Sequence, residues 1–368
     1  VKGRMQAIIF FSAIFFAGLA TLGIEISASR LLGTVFGTSN IVWANIIGLI
    51  LVYLTLGYFL GGRWADRSPK HETFYGIMAW AGFSAGVVPL IARPVLLRAA
   101  RAVETLDVAV MAGSFLSVLI LFVVPVTLLG TVSPFAIRLS IRGTEEAGRV
   151  AGRIYALSTL GSILGTFLPV LVMIPALGTA RTFLAFSLLI LLIALGGLAT
   201  INWKLAARYL WMPALLLLAA MTMLSGPIKD TAGKIFETES AYNYIQVVER
   251  DGVRYLLLNE GQGVHSMYDP TSLATYGTWD YFLAAPYFLS PPPEVKRVGL
   301  VGLAAGTIAK QFTAVYGAIP IDGWEIDPRI IEVGRRYFAM TEPNLNAYAM
   351  DGRWGLAHSS ERYTVIGV

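Results

Sequence analysis

Seven stretches in which nearly every position is apolar occupy the first 224 residues, over 6–24, 41–60, 74–91, 108–129, 154–177, 182–200 and 206–224. Each comes close to the roughly 20 residues that a helix needs to cross a bilayer core, so the pattern predicts seven membrane-spanning helices. The first runs past the usual length of a cleavable leader and shows no small-residue cleavage site, so it is expected to stay as an anchor. Polar, turn-forming residues take over at 225–233, SGPIKDTAG, and mark a domain boundary.

Beyond that boundary the period changes. Two short β-type runs, 244–248 and 254–258, are joined by Asp251 and Gly252, a favoured hairpin pair, and are followed by a glycine-rich stretch at 261–263. They predict a small antiparallel element. Residues 279–289 read as an apolar helix, and the prolines at 291–293 separate it from the next unit. Residues 298–327 then read as buried strand, glycine turn, helix and second strand. Gly302 and Gly306 open the turn, where a backbone can approach a ligand closely, and no Walker lysine comes after it, which excludes a P-loop. Glu325 lies about twenty residues on, where an acid accepts from ribose hydroxyls. A helix over 330–338 and a strand over 363–368 complete an alternating unit of three strands. A doubly wound sheet normally has five or more, so the sequence is expected to be a fragment of a longer polypeptide.

The predicted fold is a polytopic α-helical membrane bundle of about seven spans followed by an α/β domain, in which a small antiparallel β element precedes a partial Rossmann-like, methyltransferase-type sheet. The expected domains are 1–228 (transmembrane), 229–290 (β-hairpin) and 291–368 (nucleoside-binding).

Composition agrees with a bilayer. The chain is 56% hydrophobic and only 14% charged, with a mean hydropathy of +0.66. It has no cysteine, which rules out disulfides and thiolate chemistry. His71, His265 and His358 are far apart in sequence and show no ligand spacing, so no metal site is expected. Basic residues exceed acidic ones by five, an excess that in a membrane chain holds topology rather than nucleic acid. Lys2, Arg4, Arg63, Arg67, Lys70, Arg138, Arg142, Arg149, Arg153, Lys204 and Arg208 fall on one side of the spans, against Arg30, Arg93, Arg98, Arg101 and Arg181 on the other. The first side is expected to be cytoplasmic, which places everything after residue 225 outside. Gly57, Gly61 and Gly62, and again Gly161, Gly165 and Gly178, are expected to let helices pack closely. Glu25 and Arg30 are expected to form a structural pair, a transport site being the alternative.

With these residues in view, the part from about 239 to 368 resembles the spermidine synthase (polyamine aminopropyltransferase) family. The whole chain resembles its membrane-fused relatives, and GGRWADR at 61–67 resembles a cytoplasmic loop of major facilitator transporters. The resemblance implies a β-hairpin domain of synthase type before a methyltransferase-like sheet. It implies decarboxylated S-adenosylmethionine as co-substrate, with no cofactor bound permanently. Residues 302–307 would be the cofactor loop, Glu325 the acid on the ribose, Asp351 with Gly352 the pair that reads the adenine amino group, and Asn243 the stand-in for a glutamine near the cofactor. Residues 363–368 match the strand that delivers the catalytic aspartate, which is expected just beyond Val368. The departures are specific. The loop reads GLAAGT, with Ala305 where the family has an acid, and Thr278, Trp279 and Asp280 stand where it has Tyr, His or Gln, and Glu. Asp280 is left as the amine-site acid, with Asp269 and Glu260 as further candidates for offsetting a polycation.

The expected function is therefore aminopropyl transfer from the cofactor to an amine; the alternatives are a catalytically degenerate synthase-like subunit that binds a nucleoside or a protein and, second, transport of a polyamine or similar cation through the bundle, with Glu25 as its acid. The shared sheet also leaves a methyltransferase open. Expected partners are membrane lipid, a nucleoside, an amine, and further copies or subunits, in a multi-pass protein of the plasma membrane.

Overall fold

The computed structural model describes residues 2–102, 108–141, 143–223, 231–261 and 263–368. Arg142, Leu224, residues 225–230 with the expected 228/229 boundary, and Gln262 lie outside the described residues. The chain forms two compact units, Val1–Lys229 and Asp230–Val368.

Among the described residues, the first unit holds seven helices long and apolar enough to cross a membrane: Gly3–Phe36, Asn40–Arg67, His71–Ala102, Ala109–Ser140, Thr144–Leu177, Thr179–Ile201 and Trp203–Thr222. Most extend past their apolar stretches, because polar residues at the ends continue the backbone ladder where propensity does not stop it. Lipid supplies no hydrophobic drive between helices, so close packing must hold them together. Glycine provides it at four of the six predicted positions. A Cβ would lie 2.0 Å from the Phe15 carbonyl oxygen at Gly161, 2.1 Å from that of Leu19 at Gly165, 2.4 Å from that of Thr127 at Gly57, and 2.7 Å from Thr131 at Gly61. The first span thus meets the fifth backbone to backbone, and the second meets the fourth. Gly62 faces open space, and Gly178 sits in the turn before the sixth span with φ 82°, so the packing role expected of these two does not hold. Ser187 adds a hydroxyl donated to the Gly82 carbonyl across the third and sixth spans, at 2.6 Å.

In the second unit, β1 (Lys234–Glu239), β2 (Tyr244–Arg250), β3 (Val253–Leu258) and β4 (Val264–Tyr268) form an antiparallel meander in chain order. The predicted hairpin is β2–β3, and Asp251 and Gly252 both take the positive φ that a tight type I′ turn needs, 52° and 80°. The second sheet is parallel and contains β5 (Val298–Val301), β6 (Ile321–Glu325), β7 (Leu345–Ala349) and β8 (Val365–Gly367) in the order β7-β6-β5-β8. It has four strands, one more than the sequence pattern predicts. The first strand lies inside and the fourth on its far side, which is the order of a Rossmann half, with the reversal point between β5 and β8. The predicted helix over 279–289 is in fact two short pieces, Thr278–Phe282 and a 3-10 turn Ala285–Phe288. Pro286 explains the break, since it has no N–H to donate and its ring crowds the preceding turn.

Val298, Leu300, Ile321 and Val365 of the parallel sheet share one core with Ala309 and Phe312 of the helix Thr307–Tyr316. Ile245, Val247 and Leu256 of the meander share another with Ile330 and Val333 of the helix Pro328–Tyr337. A polar knot closes the N-terminal edge of the parallel sheet. Asp322, buried in β6, accepts from Arg297 Nε at 2.8 Å, Asn346 Nδ2 at 3.0 Å and the Tyr363 hydroxyl at 3.0 Å. Burial pushes its carboxyl up, but the hydrogen bonds from these three and the Arg297 charge win and hold it below its ordinary value.

Candidate functional site

The C-terminal ends of β5, β6 and β7 come together at the glycine turn. Gly302 N–H and Leu303 N–H both donate to the Trp324 carbonyl, at 2.8 and 3.0 Å, which hooks the turn onto the end of β6. Gly302 has φ 85°, and a Cβ there would meet nothing within 4 Å. Its backbone needs glycine while its outer face stays open, as a ligand-approach position requires. Gly306 is different: with φ 88°, its Cβ would strike the Met340 side chain at 2.6 Å, so packing accounts for it.

Glu325 ends β6 and is 7% exposed. One carboxylate oxygen accepts from Ala304 N–H at 2.9 Å and the other from Asp327 N–H at 3.1 Å. The first of these bonds reaches back and fastens the glycine turn. Among the described residues Glu325 has no ion-pair partner. Burial raises its carboxyl above the ordinary value, the Asp327 charge adds to the rise, and the backbone N–H groups only partly offset it. Each oxygen keeps a lone pair for a further donor.

Asp351 lies two residues past the end of β7, and Met350 between them donates its N–H to the Glu325 carbonyl at 3.0 Å. Its carboxylate caps the helix Gly352–His358, accepting from Arg353 N–H at 2.8 Å, and pairs with Arg353 Nη2 at 2.6 Å. Those bonds to Arg353 hold its pKa down to about 2. Gly352 packs where a Cβ would lie 2.6 Å from Val301 Cγ1, so glycine is what lets this turn close over the end of β5. Gly302, Glu325, Asp351 and Gly352 are therefore neighbours.

The other sequence candidates are engaged elsewhere. Asn243 donates to Asp327 Oδ2 at 3.1 Å and accepts from Asn259 Nδ2 at 3.2 Å. Asp327 is fully buried, also takes the Ser240 hydroxyl at 2.5 Å, and caps the helix Pro328–Tyr337 through Arg329 N–H at 3.0 Å. Asn243 thus joins the meander to the residue two beyond Glu325. Asp280 receives Thr275 N–H, the Thr275 hydroxyl, Tyr276 N–H and Gln311 Nε2, all within 3.1 Å. Burial alone would raise its carboxyl, yet these loop donors outweigh burial and lower it. Asp269 is likewise taken up by Thr271, from both N–H at 2.8 Å and hydroxyl at 2.7 Å. Ala305 is 1% exposed and belongs to the apolar core with Ile245, Val247 and Leu256.

Three residues escaped the sequence reading, Ser240, Ser266 and Asp327, and so did the bonding role of Thr307 at the end of the expected cofactor loop. Ser266 accepts Ala305 N–H at 2.9 Å, and Thr307 exchanges bonds with the backbone N–H and carbonyl of Met267, each at 2.9 Å. Together they clamp β4 to the glycine turn. Only Asp327 carried a local signal, an N-cap acid directly before a proline at the first helical position. What the cluster can do is hold a diol against Glu325 beside an open backbone turn; among the described residues no general base stands free beside it.

No family model matches the chain. Among curated proteins it is similar to a probable polyamine aminopropyl transferase of Bifidobacterium longum, 34% identical over 134 residues, or 36% of this chain and 29% of that protein. It is also similar to a polyamine aminopropyltransferase of Vibrio vulnificus, 28% identical over 131 residues, or 34% of this chain and 43% of that protein. The chain spans less than half the length of either relative. A spermidine synthase-like relationship is thus supported over about a third of the chain.

Proposed function

We propose that the chain is a spermidine synthase-like membrane protein whose α/β unit holds decarboxylated S-adenosylmethionine and serves transfer of its aminopropyl group to an amine. The observation that carries this reading is the Glu325 carboxylate, buried without a cation beside the open turn at Gly302. A buried acid in that state is costly unless donors such as ribose hydroxyls complete it. The names of the two relatives support the same chemistry. In the transfer, the amine nitrogen attacks the carbon beside the sulfonium, the C–N bond forms as the C–S bond breaks, and methylthioadenosine leaves. The chain's own residues position the nucleoside for that attack.

The test is release of methylthioadenosine by the detergent-purified full-length protein, given decarboxylated S-adenosylmethionine and a panel of diamines and triamines. Amine-dependent release, reduced at least about tenfold at sub-saturating cofactor in Glu325→Gln, is expected. No release with any amine overturns the transferase reading. A degenerate, nucleoside-binding subunit is the second reading, favoured by Ala305 in the apolar core and by the full use of Asp280 by the 275–276 loop and Gln311. Binding without release would select it.

The transferase reading also asks for the α/β unit on the side where the cofactor is made, against the arginine count. With no native cysteine, Tyr276→Cys at a 94% exposed position can be probed by a membrane-impermeant maleimide in intact cells. Protection is expected; labelling would put the unit outside and leave the cofactor out of reach.

A further inference from the structure

The membrane unit carries a cavity that the transferase reading does not use. It measures 790 Å³ and is lined by the start of the first span (Gly3, Gln6, Ala7, Phe10, Phe11), the start of the third (Lys70, His71, Glu72, Tyr75), Leu139 and Ser140, and the end of the sixth span (Thr200, Ile201). All of these are helix ends on the arginine-rich side of the bundle. Gln6 Nε2, donating to the Thr200 carbonyl at 3.2 Å, ties the first span to the sixth at its floor. Ala7 and Phe11 are shared with a second, almost wholly apolar groove of 450 Å³, lined further by Ile8, Phe15, Phe16 and Leu157, with Arg4 and Ser12 as its polar members. The Arg153 guanidinium sits 5.9 Å from the centroid of Phe11, the residue both spaces share.

We infer that this pair of spaces is a binding site for one anionic phospholipid, its phosphate where the two meet, between Lys70 of the polar cavity and Arg4 of the groove, and an acyl chain in the groove along Phe15, Phe16 and Leu157. The two halves have the two chemistries of such a molecule, joined in the right order. The polar half lies at helix ends, where headgroups lie, and the apolar half runs along the exposed flank of the first span, whose Ile8 and Phe11 are 58% and 38% exposed. Among the described residues that line the two spaces, Lys70 and Arg4 stand against one acid, Glu72, and Arg153 adds a third cation over Phe11, so the net charge favours an anion. Basic clusters between span ends are a recurrent anionic-headgroup site. A free inorganic phosphate would use only the polar half; a lipid uses both.

The experiment uses the full-length chain in detergent, read by native mass spectrometry and melting midpoint, with phosphatidylglycerol, phosphatidylcholine and glycerol phosphate as probes. One phosphatidylglycerol per chain, retained over phosphatidylcholine and raising the midpoint, is expected. At about 1 kcal/mol per cation, Arg4→Gln with Lys70→Gln should weaken it roughly thirtyfold. Leu157→Trp, which fills the groove and leaves the cations alone, should weaken phosphatidylglycerol and not glycerol phosphate. Equal retention of the two lipids, or phosphatidylglycerol unaffected by both variants, overturns the proposal. Glycerol phosphate binding as well as the lipid does so too, since it would mark a small-anion site. Spermidine binding there in place of phosphatidylglycerol, lost in Glu72→Gln, would replace the lipid with an amine.

Discussion

The two edges of the parallel sheet treat the same chemical group in opposite ways. At the N-terminal edge, Asp322 of β6 meets a guanidinium, an amide and a phenol, and its carboxyl is held below the ordinary value. Three residues along the same strand, Glu325 meets two backbone N–H groups and no cation, and its carboxyl is raised. Both side chains are buried. One end is therefore complete as it stands and ties together the loop before β5 and the strands β6 and β7 with the Tyr363 approach to β8; the other keeps hydrogen-bonding capacity that the fold does not use. Spare capacity on a buried acid at the C-terminal edge of such a sheet is what distinguishes a binding position from a structural one.

The largest expected effect is at the closed edge. Asp322→Ala takes the shared acceptor from Arg297, Asn346 and Tyr363 and leaves Arg297 only the half-exposed Glu361, 3.1 Å from its Nη1, which should cost roughly 3 kcal/mol. Thermal unfolding of the purified protein should show the α/β unit melting far below the parent; an unchanged midpoint would mean the knot does not hold the sheet. Next comes Gly352→Ala, whose methyl would press on Val301 at a cost of about 1–3 kcal/mol by the same measurement. Tyr363→Phe removes the hydroxyl's bonds to Asp322 and Ser359 and should cost only about 1 kcal/mol, since Asp322 keeps Arg297 and Asn346.

The subtlest test is in pH. Glu325 is raised in the folded state, so its contribution is fully present below the ordinary 4.5 and is lost as pH rises through the higher folded value. Asp322 is depressed, so its contribution is present above the ordinary 3.8 and is lost as pH falls through the lower folded value. From about pH 4 to 7, the midpoint of the parent relative to Glu325→Gln should therefore fall. From about pH 4 downward, the parent relative to Asp322→Asn should lose its advantage. Parallel slopes would erase the distinction between the two edges.

Much of the fold was open to a reading of the sequence, and the failures have physical causes. The seven spans were legible because a bilayer fixes helix length and leaves long apolar runs. β5 and β6 were legible because both are buried strands flanked by turn residues. β7, LNAYA, was not: it is the edge strand, polar on one face and half exposed, and has no apolar run. β1, KIFETE, hides for the same reason, since its polar residues carry the alternation. Glu325 was found by its spacing from the glycine turn. The clamp made by Ser240, Ser266 and Thr307 was not, because its bonds join residues some 40 to 87 positions apart and leave no period in the chain. For Asn243 and Asp280 the chain gives the residue type, but only the structure shows that their hydrogen bonds go to Asp327, Asn259 and the 275–276 loop.

If the C-terminal edge of the parallel sheet takes a nucleoside through Glu325, as proposed, calorimetric titration of the full-length protein with decarboxylated S-adenosylmethionine, S-adenosylmethionine and methylthioadenosine, beside Glu325→Gln, will show it. The decarboxylated form is expected to bind, and the substitution to weaken it at least about tenfold, the loss of one charge-assisted hydrogen bond, while the melting midpoint at neutral pH does not fall. No binding of any of the three by a protein whose α/β unit melts cooperatively would contradict the claim.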